Sequence, residues 1–183
     1  MPGDAGLLKQ LRTFFETPEP PDLGSDPRAG VLPEKVLNSK LSAILKSSSV
    51  ANQELLRALI LLWHDHCDSA HSIAQAIENP NGAYLHGIVH RREPDYWNSK
   101  YWFRQIGQHP ALAIIGSRLR AEANSSPSPR DIDRLTPSGL FDPMAMVDAC
   151  EQSENAGPKA PERSWLRKVQ QIESEVLLEL FAA

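Results

Sequence analysis

Apolar positions recur at helical spacing along most of this chain. Leu7, Leu8, Leu11, Phe14 and Phe15 predict a short amphipathic helix over 5–16. Pro18, Pro20 and Pro21 end it, and 17–32 reads as an extended linker or wrapping arm. Pro33 suits the first turn of a second helix, whose apolar face is Val36, Leu37, Leu41, Ile44 and Leu45. From 52 to 78 there is neither Pro nor Gly, and the stretch ELLRALILLWHDHCDSAHSIAQAIE predicts one long helix. Asn79-Pro80-Asn81-Gly82 reads as a turn, with a helix resuming at Ala83 and running to Arg92. Pro94 disfavours helical backbone at Glu93, so Asp95 is expected to cap a new helix, DYWNSKYWFRQIG, that Gly107 stops. Pro110 opens another helix, 124–143 reads as a long loop, and a short helix is expected over 143–152. Trp165, Leu166, Val169, Ile172, Val176, Leu177 and Leu180 then trace an apolar stripe on a terminal helix, 163–182. No segment shows the two-residue alternation of a strand. The pattern predicts an all-α, single-domain bundle of about seven helices with proline-rich arms. Its core would be 33–123, with arms and loops at 17–32 and 124–164.

A length of 183 residues suits one domain with a real core. With 41% hydrophobic and 23% charged residues, wholesale disorder is not expected. The net charge of −4 argues against a partner bound by neutralising phosphates, so no nucleic-acid role is expected. Cys67 and Cys150 are far apart, share no CxxC pattern, and read as small buried hydrophobes. The N-terminal MPGDAGLLKQLRTFF lacks the features of a secretory signal. The longest apolar run, 58–63, is far short of the roughly 20 residues a membrane span needs. A soluble, cytoplasmic protein without a membrane partner is the expectation.

Candidate chemistry is concentrated in one window. All six histidines lie between His64 and His109, and seven of the twelve aromatic residues lie between Trp63 and Phe103. On one continuous helix His64, Asp68, His71 and Gln75 would share a face, opposite Leu59, Leu62, Cys67, Ala70, Ile73, Ala74 and Ile77. His86 and His90 sit four apart in HGIVH, a spacing used by two-histidine metal sites. The short connection at 79–82 makes the two helices antiparallel neighbours, so their polar stripes are expected to converge. Asp68 and His71 form a shorter relative of the Glu-x-x-His unit of di-metal bundles. His64, Asp68, His71, His86, His90 and Glu93 together offer donors for one or two ions, and zinc, iron and manganese all suit them. His64, Asp68, His71 and His90 are the candidate acid–base groups. The zincin motif HExxH is absent, and His64-Asp65 lacks the upstream histidine of the HD phosphohydrolases.

In HRREPDYWNSKYWFR, Arg92 or Arg104 could clamp a carboxylate or phosphate, while Tyr96, Trp97, Tyr101 and Trp102 could stack on a ring or a sugar. These readings describe a metal-dependent enzyme or binder of a small anionic or polar ligand. The alternative is a metal-free small-molecule-binding or protein-interaction module. The metal-free binder would use the same pocket, with Asp68 or Asp65 orienting an imidazole; on a purely structural reading the rings fill the core, the arginines lock helix ends and the histidines are held by backbone carbonyls or carboxylates. The terminal stripe offers a homodimer surface or, more simply, docks on the chain's own helices.

At WHDHCDSAHSIAQ, YLHGIVHRREPDY and YWFRQIGQHP the chain resembles a family of small uncharacterised proteins found in bacteria and fungi. The resemblance covers roughly 55–115 and implies no substrate or reaction. The arms at 17–33 and 124–164 lie outside it.

Overall fold

A computed structural model describes residues 5–46, 48–122 and 129–183. Among these the regular structure is all helical, with ten α-helices, one 3₁₀ turn and no strands, where periodicity suggests about seven helices. They are α1 (Ala5–Arg12), α2 (Glu34–Lys46), α3 (Gln53–Trp63), α4 (Cys67–Ala74) and α5 (Pro80–Arg92). Then come α6 (Tyr96–Phe103), α7 (Ala111–Ala121), α8 (Pro129–Leu135), α9 (Pro143–Ala156) and α10 (Arg163–Phe181). Two of the additional helices have local causes. The long helix expected over 52–78 is two helices, and the loop expected over 124–143 contains α8; its first residues, up to 128, lie outside the described ones.

The centre of the fold is α3. Leu55, Leu56 and every residue from Ala58 to Trp63 are buried, which is the signature of a helix surrounded on all sides. Its neighbours are α2, α4, α5 and α10. The apolar stripe of α10 lies inside this core, with Trp165, Leu166, Val169, Ile172, Val176 and Leu177 all buried. The stripe that offered a dimer surface is therefore covered by the chain's own α1, α3, α7 and α9.

Helix α5 begins earlier than expected. Asn79 caps it by accepting from the backbone N–H groups of Asn81 and Gly82, and Pro80 occupies the first turn, where its missing N–H costs nothing. The NPNG stretch is thus a helix start rather than a free turn. Asp95 caps α6 as expected, accepting from Asn98 N. The two helices press together because Gly87 leaves room: a Cβ there would stand 2.9 Å from the Phe103 ring.

A buried polar clamp joins α5 to α10. Glu173 receives the Arg91 guanidinium at 2.5 Å and the Tyr84 hydroxyl at 3.1 Å, with both members of the ion pair fully enclosed. Burial alone would lower the Arg91 pKa; the Glu173 carboxylate beside it reverses that and pushes it above its ordinary value.

The proline-rich segment 17–33 wraps the body. Leu23 is buried, Gln170 on α10 donates to the Asp22 carbonyl at 3.0 Å, and Arg163 pairs with the Asp22 carboxylate at 3.1 Å. No helix among the described residues is long and apolar enough to cross a membrane.

Candidate metal centre

The site begins with the break between α3 and α4. His66 N donates to Leu61 O at 3.0 Å, and Asp65 sits between them with φ +65°. This is the left-handed residue and six-to-one bond of a helix-ending motif, with Asp in the place glycine usually takes. The Asp65 carboxylate explains the exception. It accepts from Arg28 Nη1 at 2.6 Å, Arg28 N at 3.1 Å and Arg92 Nη2 at 2.8 Å. Arg92 also donates to the carbonyls of Leu62 and Gly24. Arg92 is therefore enclosed in a structural clasp and is not available to hold an anionic ligand.

The break corrects the expected stripe. His64 does not join His71. Its Nδ1 accepts from Leu32 N at 3.1 Å, which leaves Nε2 carrying the proton donated to Phe14 O at 2.9 Å. Burial lowers its pKa to about 4, so it stays neutral. Asp68 and Gln75 are exposed, and neither is among the residues whose ligand atoms converge. His66 is held by Leu32 O, and His109 lies between Asn81 Oδ1 and the Ala111 N–H.

Three histidines do converge. One ring nitrogen from each of His71, His86 and His90 lies within 4.8 Å of the others. His71 comes from α4; His86 and His90 come from successive turns of α5, four residues apart, with their rings parallel at 4.7 Å. The Nε2 atoms of His71 and His86 are 2.9 Å apart. Nitrogens about 2.1 Å from one ion stand about 3 Å apart at a right angle and about 3.4 Å apart at the tetrahedral angle. The pair is thus close enough to share an ion with little movement, and close enough to share a proton without one.

Glu93 orients the cluster from outside. Its Oε1 accepts from His71 Nδ1 at 3.2 Å, and its Oε2 faces His90 Nδ1 at 3.3 Å. A carboxylate on Nδ1 leaves the Nε2 lone pair of His71 directed at the cluster. Glu93 thus stands behind the imidazoles, where sequence spacing had placed it among the ligands. Glu93 is the C-cap residue of α5, and its N–H still donates to Val89 O despite the proline that follows.

His90 Nε2 accepts from the Asn98 side chain at 3.2 Å, and Asp95 lies 3.8 Å from His90 Nδ1. The Trp102 ring covers His86, with centroids 4.0 Å apart and planes 19° apart. Asn98 belongs to the site without having been singled out by sequence, and Trp102, one of the four rings expected to stack on a ligand, stacks instead on a histidine of the cluster. Their signal was present: an Asp95-capped helix directly after the HGIVH turn places residues 98 and 102 on one face of α6.

Burial lowers the His86 pKa to about 4, and the neighbouring imidazoles add to the effect. His90 is lowered as well, by burial and by His71, against the opposing pull of Glu93 and Asp95. Both rings are therefore held in the neutral form that ligates metal. Nδ1 of His86 is buried without a hydrogen-bond partner among the described residues. His71 and Glu93 keep side-chain exposures of 27% and 26%, so the cluster opens to solvent on their side.

The aromatic candidates are divided. Tyr96 is half-buried toward α9, and burial raises its pKa to about 12. Trp97 and Tyr101 are exposed, and so is Arg104. None of the three is placed against the histidine rings.

Comparison of the chain with protein-family models, with curated proteins and with solved structures gave no match.

Proposed function

We propose that this protein is a metal-dependent enzyme or binder whose ion is held by the imidazoles of His71, His86 and His90. The convergence of three ring nitrogens, two of them on buried residues whose pKa is lowered, is the observation that supports the reading. Three imidazoles suit zinc or iron, and manganese less well, since it favours oxygen donors. With three protein ligands an ion keeps open positions for water or a small polar substrate. Glu93 and Asp95 at the opening favour a neutral or cationic substrate over an anion. The test is elemental analysis of untagged protein, followed by titration of the metal-free protein with zinc and with iron(II). A stoichiometric ion that is lost in His71→Ala and in His90→Ala supports the reading. A chain that purifies without metal and takes up neither ion overturns it.

A metal-free reading is favoured by a separate observation. Glu93 Oε1, His71 Nδ1, His71 Nε2 and His86 Nε2 form an unbroken hydrogen-bonded series of 3.2 Å and 2.9 Å contacts. A carboxylate-backed imidazole passing a proton to a second imidazole is a usable general base near neutral pH. Under this reading ligands found by thermal-shift screening raise the melting temperature without metal, and chelators leave that shift unchanged.

A further inference from the structure

Four rings form a continuous path from the centre to the exterior. Trp102 lies face to face on His86 at 4.0 Å. Tyr101 meets Trp102 edge-on at 5.4 Å, and Trp97 lies parallel to Tyr101 at 6.3 Å. Exposure rises along the series: His86 is 4% exposed, Tyr101 43% and Trp97 75%. An indole is seldom left so open, because burying an aromatic ring is strongly favourable. Here the exposed ring is also the outer end of a stack whose inner end covers a candidate ligand.

Indole and phenol are the two side chains that give up a single electron most readily under strong oxidants. Rings in or near van der Waals contact pass that vacancy in short steps. We propose that Trp102, Tyr101 and Trp97 are an electron relay between the His71–His86–His90 centre and the surface, used when a redox-active ion meets a peroxide. The inference rests on the metal reading above and narrows its ion to one with two adjacent valences, iron before zinc.

The step balances as follows. Hydrogen peroxide takes up two electrons and two protons and leaves as two waters. The ion supplies one electron and rises by one unit of charge. Trp97 supplies the other through Tyr101 and Trp102, and its indole N–H proton passes to solvent. The net demand is one proton from water, and the product is a neutral indolyl radical at the surface. Such a path keeps oxidising equivalents away from the ligand imidazoles. It also offers an external reductant a contact point at Trp97.

The experiment loads the full chain with iron(II) under anaerobic conditions and adds hydrogen peroxide with a nitroso spin trap. Adducts are located by peptide mass mapping and followed by electron paramagnetic resonance. The relay predicts an adduct at Trp97 that needs iron. In Tyr101→Phe, which touches no proposed ligand, that adduct is lost and the label moves to Trp102. An adduct at Trp97 that persists in Tyr101→Phe marks attack by diffusing radicals and overturns the relay. Iron bound stoichiometrically with no adduct at Trp97 overturns the relay and leaves the metal centre standing. Failure to bind iron or zinc removes the centre itself, and the relay with it.

Discussion

Asp65 and Arg92 form an ion pair at 2.8 Å in which each side chain is only 1% exposed. The pair decides the geometry around it. Asp65 ends α3 in a left-handed conformation, Arg92 lies beside the end of α5, and Arg28 brings in the wrapping arm from the other side. Removing one partner of a buried pair leaves the other charged and unpaired, which costs about 3–5 kcal/mol. Asp65→Ala is expected to lose at least that much, since alanine also tolerates the positive φ poorly. Asp65→Gly removes the same carboxylate but relieves the backbone, so it is expected to be less damaging than alanine. Urea unfolding of the two variants beside the parent checks the order. Equal midpoints for the parent and Asp65→Ala would show that the clasp carries no weight.

The same residue marks the limit of what the sequence discloses. Helical periodicity located α2 and α10, while a capping residue, a glycine or a proline at an end located α6 and α7. The break at 64–66 has neither Gly nor Pro. It is made by a long-range contact, the capture of Asp65 by Arg28 and Arg92, that no local pattern encodes. Spacing on an unbroken helix therefore grouped His64 with His71, while the true geometry sends His64 to Phe14 and Leu32. The convergence of His71 with His86 and His90 was legible, because it depends on the short 79–82 connection and on the four-residue spacing within α5. The position of Glu93 behind the imidazoles depends on how α5 ends, and Trp102 on how α6 packs back, so neither role followed from spacing.

Glu93 touches two of the three imidazoles and is itself partly exposed. Loss of an outer carboxylate of this kind lowers metal affinity about 10–100-fold while the ligands remain. Glu93→Gln is expected to weaken zinc binding by that order, with the unfolding transition of the metal-free protein little changed. Calorimetric titration beside a denaturant curve separates the two effects. Unchanged zinc affinity in Glu93→Gln would place the carboxylate outside the centre's function.

The clamp between α5 and α10 gives a contrast in double substitution. Arg91 and Glu173 are both enclosed, and Tyr84 shares the carboxylate. Glu173→Ala strands the guanidinium and is expected to cost about 3–5 kcal/mol. Replacing both charges with apolar residues of similar volume, Arg91→Met with Glu173→Leu, is expected to recover most of that loss. The Tyr84 hydroxyl is then left without its acceptor, a residual cost of about 1–3 kcal/mol. Adding Tyr84→Phe to the pair should return it. Thermal unfolding of the single, double and triple variants tests the series. A double variant no more stable than Glu173→Ala alone would contradict it.

His64 makes stability depend on pH with a definite sign. Burial and the Arg28 charge hold its folded pKa at about 4, against the pull of Phe14 O and Asp65, while the unfolded ring keeps the ordinary value of 6.5. Between those values the unfolded chain binds a proton that the folded chain does not, so stability falls as the pH drops. The contribution is complete above about pH 6.5 and is lost progressively toward about pH 4, at up to about 1.4 kcal/mol per pH unit. His109, whose pKa burial also lowers, acts in the same direction. Both rings lie outside the three-histidine cluster, so the effect is expected with and without added zinc. His64→Asn keeps an acceptor for Leu32 N, lacks a titrating ring, and is expected to be less stable at neutral pH but flatter in its pH response. Denaturant midpoints of parent and variant across this window report the difference. Parallel slopes would show that His64 takes up its proton equally well folded and unfolded, against the two backbone contacts that fix its neutral tautomer.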